Sequence, residues 1–239
     1  MPLYITNQPL PYTPCIWQSG TGKDPQSSAV KAFISPTRFM SDSFLAWDLK
    51  LTLKGGIYAG AYWDKAISTT DAKHYADQFV NQFMTGEGEE WYDNGGLSNV
   101  MRNTPEGQRL MRQISAEFRN QMFINQGDFT RIKLSRNIRP PSFGWKSSPT
   151  LKILVGGTQR LIVTLAAIVY NPQNCRWMSV INVEIRDDFG VTEGDITNAS
   201  PSAKLGIGGL ADMWVLQHRR GKKPFTSVFN FSFICYDNN

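Results

Sequence analysis

Phe225 to Tyr236 reads FTSVFNFSFICY, and its alternation decides the fold. Phe225, Ser227, Phe229, Phe231, Phe233 and Cys235 share one face of an extended chain, the period-two pattern of a strand packed on one side. Upstream, the segment from Arg176 to Arg186 also alternates, with Trp177, Ile181, Val183 and Ile185 recurring. Leu161 to Tyr170 is a third extended run, joined to the second by Asn171-Pro172-Gln173-Asn174 and preceded by a Gly156-Gly157 turn. Thr130–Leu134 and Leu151–Val155 read as two shorter strands around the extended link from Arg139 to Trp145. Consecutive strands with short turns predict an antiparallel sheet.

Ahead of the sheet the period changes. Thr69-Thr70-Asp71 reads as an N-cap region, and Tyr75, Phe79, Val80, Phe83 and Met84 fall at helical spacing until Thr85-Gly86. Thr104-Pro105-Glu106 opens a second helix, whose stripe is Leu110, Met111, Ile114, Phe118 and Met122 with Phe123 beside it. Between them GEGEEWYDNGG carries Glu87, Glu89, Glu90 and Asp93, readable as a cation or glycosidase site but more simply as an acidic loop capping the next helix. The mixed stretch from Ala29 to Leu53 is broken by Lys54-Gly55-Gly56. Helices first and strands later is the α+β order, an N-terminal helical part packed on a C-terminal antiparallel sheet. The organisation expected is an extended Pro-rich segment over residues 1–28, a mainly helical region over 29–128, and a β region over 129–239 with a short helix at about 209–220.

Composition bounds the function classes. A chain of 239 residues with 41% hydrophobic and 19% charged residues is globular and large enough for a sizeable core. The net charge of +5 is spread along the chain without a basic stripe, so nucleic acid is disfavoured as a partner. Cys15, Cys175 and Cys235 are far apart, and with only His74 and His218 beside them a Cys/His zinc centre is disfavoured. Cys175 and Cys235 read as small core residues, and His74 as a boundary residue of the first helix. SGTGK at Ser19–Lys23 lacks the spacing of a phosphate loop. No signal peptide or membrane-spanning run is legible, so the chain is expected to be made in the cytoplasm, with no transmembrane segment.

Chemistry concentrates between Asp187 and Phe225. Asp187 and Asp188 stand where the Arg176–Arg186 strand is expected to end, and Asp195 follows in a turn with Gly194. One of them could act as general base or nucleophile or hold a cation, or all could cap a solvated turn. Adjacent aspartates point to opposite sides if the strand continues. Asp212 to Arg220 reads as a short helix with His218 and Arg219 at its C-terminal end. There the helix dipole favours cations, and the functional alternative is His218 as acid or base with Arg219 stabilising an anionic transition state. No cofactor or metal is specified by these residues.

The order GGTQ at Gly156–Gln159, then DDFGV with a later Asp, a Gly-rich gap and WVLQHRRGKKPFT resembles the C-terminal signature of uncharacterised bacterial families. The likeness covers about the last hundred residues. Such families are linked with contact-dependent or type VI secretion and polymorphic toxins. The resemblance implies an antibacterial effector delivered into the target-cell periplasm, with a cognate immunity protein, a secretion-apparatus component and a cell-wall substrate as partners. A weaker likeness is to colicin M-type toxins, which cleave lipid-linked cell-wall precursors and carry D-x-Y-D before a His-Arg pair. Asp212 and His218-Arg219 match the later half, while Gly209 and Ala211 replace the first aspartate and the tyrosine. A peptidoglycan or lipid-precursor hydrolase is the implied activity, and the alternative is a non-enzymatic effector or adaptor that binds a protein partner or disrupts a membrane.

Overall fold

Hydrophobic alternation places the scaffold. In the computed structural model, which describes residues 28–61, 67–134, 138–171, 173, 176–192, 195–196 and 207–237, three long strands pair antiparallel: β2 (Arg160–Asn171), β3 (Arg176–Phe189) and β4 (Phe225–Tyr236). A two-residue strand, β1 (Trp91–Tyr92), joins β4 in parallel, so the sheet is mixed with order β1-β4-β3-β2. Beyond β1 the β4 edge meets the first turn of a helix, where the Asn230 amide donates to Ser98 Oγ at 3.0 Å. The architecture is α+β, with helices before strands as the residue pattern predicts.

The helices are α1 (Ser28–Ile34), α2 (Asp42–Ala61), α3 (Thr69–Thr85), α4 (Gly96–Asn103), α5 (Pro105–Ile124), α6 (Pro149–Leu154) and α7 (Ile207–His218). Ser68 caps α3 by accepting from the Asp71 amide, and Thr104 caps α5 by accepting from the Gly107 amide with Pro105 at the first turn. The buried stripes of α3 and α5 are the expected ones, although Phe123 at the end of α5 faces solvent. One face of the sheet packs on these helices. Phe79 of α3 meets Trp91, Phe189 and Phe225 at ring-centre distances of 4.8, 5.2 and 5.6 Å, and Phe118 of α5 meets Trp177 at 5.1 Å. Cys235 is buried in the same layer, where desolvation pushes its thiol pKa up.

Three expectations are corrected. Leu151–Val155 is not a strand: Ser148 accepts from the Leu151 amide, Pro149 starts the turn, and Leu151 and Leu154 are buried on one side of α6. A short apolar run has no periodicity long enough to separate helix from strand. Thr130–Leu134 is not a strand either, since the Asp128 carboxylate accepts from the amide and hydroxyl of Thr130 and closes a 3-10 turn over Phe129–Arg131. Lys54-Gly55-Gly56 does not break the chain, for α2 runs through it. The buried Leu45, Leu49 and Ile57 hold this helix in the core. A side chain on Gly56 would come within 3.2 Å of Ile153, so the glycine lets α6 pack close rather than ending α2. Cys15, Ser19–Lys23, Cys175, Gly194 and the Gly-rich connection before residue 207 lie outside the described residues.

The acidic loop proves to be a cap. Asp93 accepts from the amides of Gly95, Leu97 and Ser98 and from the Ser98 hydroxyl, while its own amide donates to Val228 of β4. Glu90 pairs with Arg186 and accepts from Tyr92, and Glu87 pairs with Lys223. Asp93→Ala should therefore lower stability by about 1–2 kcal/mol, the range of a lost N-cap. Urea unfolding reads this directly, and an unchanged midpoint would show the cap to be dispensable.

Candidate functional site

The strand that holds Asp187 and Asp188 does not end before them. β3 continues to Phe189, in register with Ser227, Thr226 and Phe225 of β4, so the two carboxylates point to opposite sides of the sheet. Asp187 lies on the packed face between Ile185 and Phe189 and is 5% exposed. Burial raises its pKa well above the ordinary carboxylate value, and the charge of Asp188 adds to the rise; the Asp188 amide opposes it, and Asp195 adds a lesser contribution. Asp188 lies on the other face. Its Oδ1 accepts from the Thr226 hydroxyl at 2.6 Å, and its Oδ2 is buried without a hydrogen-bond partner among the described residues. Asp195 is exposed and serves its own turn, accepting from the Thr192 amide and hydroxyl at 2.7 and 2.6 Å.

His218 ends α7 half-buried, with its ring 4.6 Å from that of Trp214. Its Nε2 lies 3.2 Å from the Val191 carbonyl and 3.1 Å from Gln217 Nε2, while Gln217 Oε1 accepts from the Val191 amide at 3.0 Å. The tip of α7 is thus tied to the segment leaving β3 by both polar groups of Val191. Arg219 is half-buried just beyond the helix. The structure gathers Asp187, Asp195 and His218 at one end of the sheet, but no carboxylate–imidazole hydrogen bond links them among the described residues. His218 contacts backbone and amide, and Asp188 faces away. Among the described residues no three His, Cys, Asp or Glu side chains are grouped to hold a metal ion.

A second acidic pair lies where the residue pattern gave no warning of a partner. Asp48 on α2 and Asp212 on α7 meet across the contact of these two helices. A side chain on Gly209 would come within 2.7 Å of Thr52 Cβ, so the bare glycine lets the helices touch there. Asp212 stands one turn after Gly209 and Asp48 one turn before Thr52, which brings the two carboxyl groups together on antiparallel helices. Asp212 is 1% exposed, and among the described residues neither of its oxygens has a conventional donor. Desolvation, followed by hydrogen bonding and charge from Asp48, pushes its pKa up to about 8. Protonated Asp212 then donates to the half-buried Asp48 across the helix contact. Only Asp212 had a signal in the sequence, through the colicin M-type pattern; Asp48 sits in a stretch read as mixed.

The open face of the sheet is the other notable surface. Strand register sets Val169, Met178 and Tyr236 side by side across β2, β3 and β4, with Ala167, Val180 and Ile234 as the next row. Val169, Met178, Ile234 and Tyr236 are each about half or more exposed. Toward the other end the same face becomes polar, through Asn182, Ser232, Glu184, Asn230 and Arg186. Compared with known proteins, the chain matches no family model, no curated protein and no solved structure.

Proposed function

We propose that this chain is an antibacterial effector that acts at the target-cell envelope by binding a protein partner through the open face of its sheet. The observation that supports binding is a pair of apolar rows, Val169-Met178-Tyr236 exposed throughout and Ala167-Val180-Ile234 exposed except at the half-buried Val180. Apolar side chains contiguous across three strands are a costly surface to leave in water, and such patches mark interaction sites. Ile234 and Tyr236 also border a hollow lined by Ser115, Arg119 and Cys235, which gives the patch relief at its rim. The interbacterial setting, with delivery to the periplasm and an immunity protein as the cognate partner, rests on the C-terminal signature alone.

A hydrolase remains the second reading, and Asp187 is what favours it. A carboxyl group whose pKa burial raises well above the usual carboxylate range has the character of a general acid, and it sits at the same sheet end as His218. A single experiment separates the two. The wild type, Met178→Asp with Ile234→Asp, His218→Ala and Asp187→Asn are expressed in the bacterial cytoplasm and, with an added export signal, in the periplasm. The binding reading expects periplasmic killing that survives His218→Ala and Asp187→Asn and disappears in the double aspartate variant. Loss of killing in His218→Ala or Asp187→Asn, with normal circular dichroism, would overturn it and direct the assays to peptidoglycan and lipid-linked precursor.

A further inference from the structure

The largest exposed side chains near the N-terminal end of the described chain lie together. Phe44, Trp47 and Leu51 recur at three- and four-residue steps on the outward side of α2, and Phe39 and Met40 precede them. The inward side of the same helix carries Leu45 and Leu49 in the core, with Lys50 bonded to Asn81 and Lys54 to Asp77 of α3. The outward stripe is therefore presented on a fixed helix. At exposures from 40% to 77% these five side chains offer roughly 500 Å² of mostly apolar surface.

We infer that this stripe is a docking site for an anionic lipid surface. The surrounding charge favours that occupant. Arg38 lies over the Phe39 ring at 4.6 Å with its side chain exposed, and Lys31 on α1 is a further exposed cation. Arg220 reaches the same corner, donating to the Arg38 and Met40 carbonyls at 3.1 and 3.3 Å. Asp42 stands 3.7 Å from Arg220 Nε, and Asp48 follows Trp47 on the side of α2 that meets α7. Tryptophan and phenylalanine on a helix flanked by cations are the side chains that settle at the headgroup boundary. No helix among the described residues is long and apolar enough to cross a membrane, so the contact is peripheral. The stripe is separate from the sheet face, and its test does not depend on what that face binds.

Co-sedimentation of the full chain with vesicles tests the inference, using phosphatidylcholine alone and phosphatidylcholine mixed with phosphatidylglycerol. The wild type should pellet with the mixed vesicles and less with the neutral ones. Phe44→Ser with Trp47→Ser, and separately Phe39→Ser, should weaken binding, the double variant by about tenfold or more. Phe123→Ser, an exposed aromatic on α5, should leave it unchanged. Failure of the wild type to pellet, equal loss in Phe123→Ser, or a solution dimer abolished by the α2 substitutions would each overturn the inference. Toxicity in the sheet-face variants reports on the protein-binding reading by itself.

Discussion

Asp212→Asn is expected to stabilise the protein at neutral and alkaline pH and to remove much of its loss of stability with rising pH. The folded chain holds the Asp212 proton up to about pH 8, whereas the unfolded chain releases it near the ordinary value of 3.8. Between those limits the folded state binds one proton more than the unfolded state. Stability therefore falls as pH rises across this window, by up to about 1.4 kcal/mol per unit, and levels off above it. Below the unfolded value the group contributes no difference. Asparagine keeps the shape, cannot ionise, and retains an N–H that donates to Asp48. A gain of about 2 kcal/mol or more at pH 8 is expected, shrinking toward pH 4. Asp48→Asn should give a smaller gain, because it removes the neighbouring charge but leaves the burial that is the larger cause. Denaturant unfolding at pH 5, 7 and 9 measures all of this. Destabilisation by Asp212→Asn at every pH would mean that the ionised carboxylate, not the shared proton, holds α2 to α7. Asp187, whose pKa is raised in the same direction, contributes a slope of the same sign, and Asp187→Asn should remove that part.

The same pair marks what the amino-acid pattern could and could not convey. Local patterns were legible: the alternation of Phe225–Tyr236, the stripes of α3 and α5, and the Thr104-Pro105 start are all set by residues within a few positions of each other. Asp187 and Asp188 were visible as an acidic pair, but whether the strand outlasted them depended on Ser227 and Thr226, about 40 residues away. Gly55-Gly56 read as a break because glycine disfavours helix by about 1 kcal/mol, a penalty that burial of Leu45, Leu49 and Ile57 outweighs. Asp48 met Asp212 only through the close approach at Gly209 and Thr52, a contact across more than 150 positions of chain. Pairings of that range leave no periodic trace, and the chemistry they create is missed for the same reason.

Phe79→Ala should be the most damaging single substitution at the sheet–helix contact. Phe79 is fully buried and is the α3 side chain that reaches Trp91, Phe189 and Phe225 together. Three strands thus rest on one ring, and no neighbour on α3 can replace it: Phe83 reaches Phe189 alone among these three. Truncation leaves a cavity between rigid aromatic walls that cannot collapse, at a cost of about 3–5 kcal/mol. By contrast Phe123→Ala, at 85% exposure, should change stability by no more than about 0.5 kcal/mol. Denaturant midpoints separate the two, and Trp91 emission should shift in the first variant only. The consequence reaches the candidate site, because Phe189 lies two residues from Asp187 on the same packed face. Water admitted beside Phe189 would solvate that carboxyl and lower its pKa toward the ordinary value. If Asp187 serves as an acid, Phe79→Ala should then lose activity before it loses its fold. If the protein works by binding through the opposite face, killing should persist as long as β3 and β4 remain paired.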